Sequence, residues 1–382
     1  MEKNNNEIKG QKELRESVLL AGMCTNCGAC VNICPYNVAY KDQTIIMDSC
    51  NREDGKCYAF CPRTPTDLEA LRRMLFNYDD ITPELGPMKG FYMTRAADQK
   101  TRSSSQHGGT AATLIALSLQ EGIIDSAIMA EEETKYLPHG VVVKTHTEVA
   151  SYAKSKFVVS PTVATFNDVS KHKQGSIGVV ATPCQALAFA KMRLKPFPEN
   201  DNKIDNLRLV IGLFCGWALS WRQLKQLLTE KIKSKKVSVL GMDIPPSKYH
   251  CMEVYTNKGI IKIPLDEIMP CVREACSYCC DMTAEFSDIS VGSARSPKGW
   301  EDAKGWNQVI VRTDVGQELI DLARSRGVLE FRDMPDGNLE KLKKASMNKK
   351  RLAVKKLSEK SGNSDNLLYL DIHDPVLCKL KE

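Results

Sequence analysis

Fifteen cysteines in 382 residues are the chemically loaded feature of this chain, and seven of them crowd between positions 24 and 61. The run Cys24-x2-Cys27-x2-Cys30-x3-Cys34-Pro35 has three thiolates at the spacing that wraps one 4Fe-4S cube, while the fourth reaches across to another cluster. The stretch DSCNREDGKCYAFCP, residues 48–62, ends the same way, in Cys57-x3-Cys61-Pro62. By that reciprocity Cys24, Cys27, Cys30 and Cys61 hold one cluster, and Cys34 joins Cys57 in a second. The second set is short of thiolates. Positions 51 and 54 are Asn51 and Asp54, and Cys50 stands one place out of register. Cys50 serves if the loop to Cys57 takes up its extra residue, and Asp54 lies where the central thiolate belongs, as a harder oxygen donor. The alternatives are a three-iron cluster, a cube with an exchangeable iron, or a degenerate site in which Asp54 is a turn residue. Paired Cys-x2-Cys also suits zinc. Four cysteines closed by proline, with a second Cys-x3-Cys-Pro nearby, favour iron and sulfur.

The elements that position these residues divide the chain into five stretches: a polar extension at 1–22, a ferredoxin-type 4Fe-4S module at 23–66, a linker at 67–90, an α/β region at 91–332 and a basic tail at 333–382. In the α/β region GTAATLIALSLQEG reads as a helix, SAIMA as a strand and TEVASYAKSK as a helix. SIGVVATP and LRLVIGLFCG read as buried strands with the helix QALAFAKMR between them, and SWRQLKQLLTEKIK is another helix. CMEVYTNKGIIKIPL has the alternation and Asn-Lys-Gly turn of a hairpin. WNQVIVRT gives a strand, and GQELIDLARSRG a helix stopped by glycine. The fold expected is α+β or α/β: a ferredoxin-like iron–sulfur module followed by a mixed α/β domain. Cys184 and Cys215 fall at the ends of predicted buried strands, where open sheets of this class present ligands. Taken alone they read as ordinary small core residues, and Cys276-x2-Cys279 as an unspecific metal-like pair.

Bulk properties narrow the function classes. The hydrophobic content of 42% suits a globular chain with real cores. The longest apolar stretch, Leu209 to Leu219, is far short of the roughly 18–20 residues that span a bilayer, so no transmembrane segment is expected. MEKNNNEIKG has no apolar leader core, which points to the cytoplasm. In a reducing compartment clustered thiols bind metal or do redox chemistry rather than form disulfides. The net charge of +6 is local: Lys341 to Lys360 holds nine lysines and arginines against one glutamate. The tail reads as a solvated helix face or as a dock for an acidic partner subunit. Without interleaved aromatics or a recognised motif, nucleic acid is not expected.

The run CVREACSYCCDMTAEFSDISVGSARSPKGW…GWNQVIVRTDVG resembles the signature of the coenzyme F420 hydrogenase/dehydrogenase beta-subunit family. SSSQHGGTAATLIALSLQEGII, SKFVVSPTVATF, VVATPCQALA and VIGLFCGW follow in that family's order, so the resemblance covers about residues 91–330. It implies a flavin-binding domain carrying its own 4Fe-4S cluster, with ligands matching Cys184, Cys215, Cys276 and Cys279. It implies FAD held by segments matching Gln106-His107-Gly108-Gly109-Thr110, Ser155-Lys156, Ser160-Pro161 and the Gly292-Ser293 turn. A glycine pair opening a helix agrees physically, because backbone N–H groups at a helix start approach a pyrophosphate. Cys280, where some members carry a basic residue, the additional thiol Cys271, and the duplicated Gly-Trp of GWEDAKGW depart from the pattern. Cys271 is an alternative to Cys276 as ligand. For His107 a structural or stacking role is expected rather than acid–base chemistry.

The expected function is therefore that of an iron–sulfur flavoprotein subunit with two or three 4Fe-4S clusters and FAD. Coenzyme F420 exchanges hydride with the flavin, and single electrons pass to or from a partner oxidoreductase subunit of hydrogenase, formate dehydrogenase or heterodisulfide reductase-like type. The alternative is an NAD(P)H- or ferredoxin-linked flavin reductase acting on an organic substrate.

Overall fold

A computed structural model describes residues 9–380, apart from 135, 173–174, 195–196, 198–202, 233, 235, 246–249 and 379; the first eight residues of the expected N-terminal extension lie outside it. Eight strands carry the α/β region: β1 (Gly90–Ala96), β2 (Ser126–Thr134), β3 (Leu137–Val143), β4 (Ile177–Ala181), β5 (Leu207–Leu213), β6 (Ile289–Ser293), β7 (Asn307–Val311) and β8 (Leu329–Arg332). They form one mixed sheet in the order β8-β1-β7-β6-β5-β4-β2-β3. The four central strands β2, β4, β5 and β6 run parallel, and antiparallel strands flank them on both sides. The central sequences IGVVA and LRLVIGL are almost continuously apolar because parallel strands are covered on both faces.

Five helices matter for the site: α1 (Thr110–Gln120), α2 (Thr162–His172), α3 (Pro183–Arg193), α4 (Asp314–Ser325) and α5 (Asn338–Ser361). Two of them begin at side-chain caps. Thr182 and Gln185 make a reciprocal capping box with Pro183 at the first position of α3, and Thr313 Oγ1 accepts the Gly316 amide of α4 at 3.1 Å. Gly337 and Gly362, both left-handed, bound α5. A separate three-stranded antiparallel sheet (Val239–Asp243, Cys251–Thr256, Gly259–Pro264) contains the expected hairpin, closed by the Thr256–Gly259 pair. One expected helix is corrected. Of TEVASYAKSK only Val149–Tyr152 forms a 3-10 turn, and the chain beyond it extends until Val158 bridges to Leu219. That tertiary pairing overrides local helix preference.

The cysteine-rich segment is not an appendage. One hydrophobic core runs from Leu14, Met23 and Phe60 through Val163, Phe166 and Phe189 to Leu357 and Tyr369. The Asn167 amide of α2 donates to the carbonyls of Gly28, Ala29 and Val31, and the Val163 amide donates to Cys27 O at 3.2 Å. Gly28 is required at this seam: its φ is +91°, and a Cβ would lie 2.6 Å from Ala164 N and 2.8 Å from Pro161 O. Gly28→Ala is expected to loosen the module, since alanine at positive φ destabilises by upwards of about 1 kcal/mol even without a clash. Limited proteolysis between residues 62 and 90 checks this; cleavage no faster than in the wild type would refute it.

Candidate functional site

The parallel strands deliver their C-terminal ends to one edge of the sheet. There β4 leads into Thr182-Pro183-Cys184, β5 into Phe214-Cys215 and β6 into Gly292-Ser293. A cavity of about 450 Å³ opens at this edge, and its lining includes Thr182, Phe214, Cys215, Trp217, Gly292, Ser293 and Asn307. Of the residues expected to hold a cofactor, Gln106, His107, Gly109, Thr110, Ser155, Lys156 and Ser160 line it too. Gly108 and Pro161 do not. A Cβ on Gly108 would meet Asn307 Oδ1 at 2.6 Å, and Pro161 turns its carbonyl to Gly28. The first amide of α1, Thr110 N, donates to Asn307 Oδ1 at 3.2 Å, and Asn307 Nδ2 donates to Gly292 O at 3.2 Å. Asn307 thus ties the glycine pair to the Gly292-Ser293 turn. It is the second residue of the predicted strand WNQVIVRT and the first of β7, and that pattern has no sign of this role.

A second cavity of about 570 Å³ shares Gln106, Ser155 and Lys156 with the first and reaches Asp243 and Tyr255. At the junction Asp243 accepts the Gln106 side-chain amide and stands 4.0 Å from His107 Nε2. Burial pushes Asp243 up and His107 down, so both are biased toward neutrality. The His107 ring also meets Trp300 of the duplicated Gly-Trp stretch edge-on, with centroids 5.6 Å apart. Lys156, on the wall of both cavities, is pushed down by burial.

Behind Cys215 stand the other thiols. All fifteen cysteines are free. Cys184, Cys276 and Cys279 are close enough to Cys215 to feel its charge, and burial pushes the Cys215 thiol well above its ordinary range. Burial also raises Cys279, but Lys349 and Arg63 outweigh it and hold this thiol below the usual value, the state a metal ligand needs. Cys24, Cys27, Cys30 and Cys61 form a second neighbourhood in the same sense. Cys57, pushed up to about 12 by burial, has Cys34 and Cys50 as neighbours in a third. Backbone amides point at sulfur: Asn26 N at Cys24 Sγ (3.4 Å), Arg63 N at Cys61 Sγ (3.4 Å) and Ala218 N at Cys276 Sγ (3.3 Å). Such donors stabilise thiolate charge and tune cluster potentials. Among the described residues no three His, Cys, Asp or Glu side chains close around a single ion. A cubane cluster takes its four thiolates at separate corners rather than around one ion.

The remaining candidates separate. Asp54 is exposed and pairs with Arg52 at 3.4 Å, while Cys50 is fixed by its own amide donating to Gln11 Oε1. Cys271 belongs to the core of the small sheet, and Cys280 packs against the main core with its thiol pushed up to about 11 by burial. The basic stretch of α5 is not all solvated. Lys349 donates to Cys215 O at 2.7 Å, and Lys350 faces buried Glu285. Four further buried cations escaped the sequence reading: Arg63, Arg72, Lys191 and Arg312. Lys191 interrupts the otherwise mostly apolar QALAFAKMR, which was its only signal.

Comparison with known proteins places these features in a family. Models described as coenzyme F420 hydrogenase/dehydrogenase, beta subunit N-term and C terminus match residues 91–167 and 174–337, and a 4Fe-4S binding domain model matches 19–40. The coenzyme F420 hydrogenase subunit beta of Methanothermobacter thermautotrophicus is 30% identical over 72% of this chain and 95% of its own. An F420H2 dehydrogenase subunit of Methanosarcina mazei is 28% identical over 85% and 88%. A chain of the F420-reducing [NiFe] hydrogenase complex from Methanosarcina barkeri superposes with a TM-score of 0.65 at 27% identity, covering 73% of this chain and 94% of that one. This chain, an oxidoreductase by its relatives and fitted with a 4Fe-4S binding domain, belongs to the coenzyme F420 hydrogenase/dehydrogenase beta-subunit family.

Proposed function

We propose that this chain exchanges hydride between coenzyme F420 and FAD and passes single electrons through 4Fe-4S clusters to or from a partner oxidoreductase subunit. A bound flavin supplies the needed conversion, since it accepts two electrons together as hydride and releases them singly to clusters that carry one each. The observation that carries the reading is the shared wall at Cys215, which belongs both to the cofactor cavity and to the Cys184/Cys215/Cys276/Cys279 neighbourhood. Gln106, His107, Gly109, Thr110, Ser155, Lys156, Ser160, Gly292 and Ser293 orient FAD there, with Gly108 and Pro161 shaping the backbone behind them. The relatives' names, hydrogenase subunit and F420H2 dehydrogenase subunit, support coenzyme F420 as the carrier.

In this reading residues 91–332 accept the hydride, 23–66 conduct the electrons outward, and 333–382 brace the inner cluster through Lys349. Cys27 feels Cys184 across the seam, so the two four-thiol sets are neighbours. Cys34, Cys50 and Cys57 form the outermost centre, where Asp54 becomes a fourth ligand only by leaving Arg52. The partner is another oxidoreductase subunit, of hydrogenase, formate dehydrogenase or heterodisulfide reductase-like type.

The test is anaerobic. The chain reconstituted with FAD, iron and sulfide is mixed with reduced coenzyme F420, and flavin absorption is followed against NADH and NADPH controls. Bleaching by the deazaflavin alone, followed by loss of cluster absorption, is expected. Bleaching by NADH or NADPH alone would reassign the carrier. No bleaching by any of them, with flavin bound and the iron of at least two cubes, about eight per chain, present, would sink the reading.

A further inference from the structure

Two of the cluster sites meet across a single buried arginine. Arg63 follows Cys61-Pro62 and is only 4% exposed. Its backbone amide donates to Cys61 Sγ at 3.4 Å. Its guanidinium reaches the other way, donating to Ala275 O at 3.1 Å, to Tyr278 O at 3.5 Å and to the Tyr369 hydroxyl. There it lies close enough to Cys279 and Cys184 to feel their charge. Tyr369 holds it in place: the guanidinium carbon is 4.7 Å from that ring's centroid, and the hydroxyl donates onward to Tyr278 O at 2.7 Å.

Every one of those acceptors is neutral. Arg63 Nε is buried with no hydrogen-bond partner, and no acidic side chain among the described residues pairs with this guanidinium. Arg72 shows the ordinary arrangement, buried between Glu285 and Asp374. A buried cation is costly unless anionic charge compensates it. The anions flanking Arg63 are the thiolates of two different ligand sets.

We propose that Arg63 is a positioning residue shared by two clusters, the one held by Cys24, Cys27, Cys30 and Cys61 and the one held by Cys184, Cys215, Cys276 and Cys279, and that its charge raises the reduction potential of both. The inference rests on the cluster assignments of the proposed function. A cation beside a cluster stabilises its more negative, reduced state, and the low dielectric of the interior magnifies the effect. One charge serving both centres also keeps their potentials in step. Lys191 is the one-sided counterpart. Its ammonium donates to Cys61 O, Thr64 O, Thr64 Oγ1 and Thr66 Oγ1, all on the N-terminal side.

The experiment is a redox titration of the reconstituted full chain followed by electron paramagnetic resonance, with iron and sulfide counted in every sample. Arg63→Gln is expected to lower two cluster midpoints, each by a tenfold or greater change in the reduced-to-oxidised ratio, or about 59 mV for one electron. Arg63→Lys recovers part of both shifts, and Lys191→Gln lowers only one of the two. Wild-type iron content with one midpoint moved, or none, overturns the proposal. Should Arg63→Gln fail to load both clusters, Tyr369→Phe decides: smaller shifts of the same two midpoints support it and unmoved midpoints overturn it. If Cys276→Ser keeps the wild-type iron count, the cluster assignment itself has failed and the inference with it.

Discussion

Cys276→Ser is expected to cost the chain about four irons and four sulfides while FAD binding and the 4Fe-4S content of residues 23–66 persist. Its Sγ accepts the Ala218 amide, and it stands among Cys184, Cys215 and Cys279. In the proposed ligand set, replacing one thiolate leaves the cube a corner short, and Cys271 feels no charge from the other thiols. Cys280 is packed against the main core and Cys271 lies in the core of the small sheet. Cys271→Ser is therefore expected to retain the full iron count, which answers the question of whether it substitutes for Cys276. In the Cys276→Ser protein reduced coenzyme F420 is expected to bleach flavin absorption still, whereas the N-terminal cluster signals stay oxidised. Iron and sulfide analysis with anaerobic spectroscopy checks both halves. Full iron in Cys276→Ser, or loss of iron in Cys271→Ser, would show that the ligand set is wrong.

Arg72→Met is expected to destabilise the fold by roughly 3–5 kcal/mol, the cost of removing one partner from a buried ion pair. Arg72 lies on the helix Leu68–Leu75 and donates to Glu285 Oε1 at 2.6 Å and to Asp374 Oδ2 at 2.5 Å. It joins the stretch after the cysteine module, the segment following Cys279-Cys280, and the C-terminal residues. Burial alone would raise Glu285, but Arg72 and Lys350 outweigh it and hold this carboxyl at about 2. Without the guanidinium two buried carboxylates lose their main counter-charge at once. A lower urea midpoint with an unchanged slope is the expected signature. A change below about 1 kcal/mol, the level of exposed pairs, would mean the network is better solvated than its burial indicates.

Local pattern carried four of the eight sheet strands (β2, β4, β5 and β7), the hairpin and helices α1, α3 and α4, but not β1, β3, β6, β8 or α2. The apolar runs around Val179 and Val210 and the Asn-Lys-Gly turn need no distant partner to be recognised, because their period and turn chemistry are local. TEVASYAKSK failed for the opposite reason: Val158 is claimed by Leu219, some sixty residues on, and that pairing is invisible to a window. Lys349 and Lys350 looked like part of a solvated charge run. Only the packing of α5 turns Lys349 toward Cys215 and Lys350 toward Glu285.

For the candidate site, spacing alone determined the donor chemistry of residues 24–61, since cubane ligation is written in short intervals and a closing proline. It also leaves Cys34, Cys50 and Cys57 one thiolate short of a cube, and these three are electrostatic neighbours in the fold. Cys184, Cys215 and Cys276 are separated by 31 and 61 positions, and no interval between them has meaning until the fold sets the short helix Glu274–Ser277 beside the C-terminal ends of β4 and β5. The same holds for Asn307 behind the glycine pair and for Arg63 between two thiolate sets. A residue's type and its near neighbours determine what it is able to bind. Which charges and which cavity it meets is decided by tertiary structure, because buried electrostatics depends on distance through space rather than along the chain.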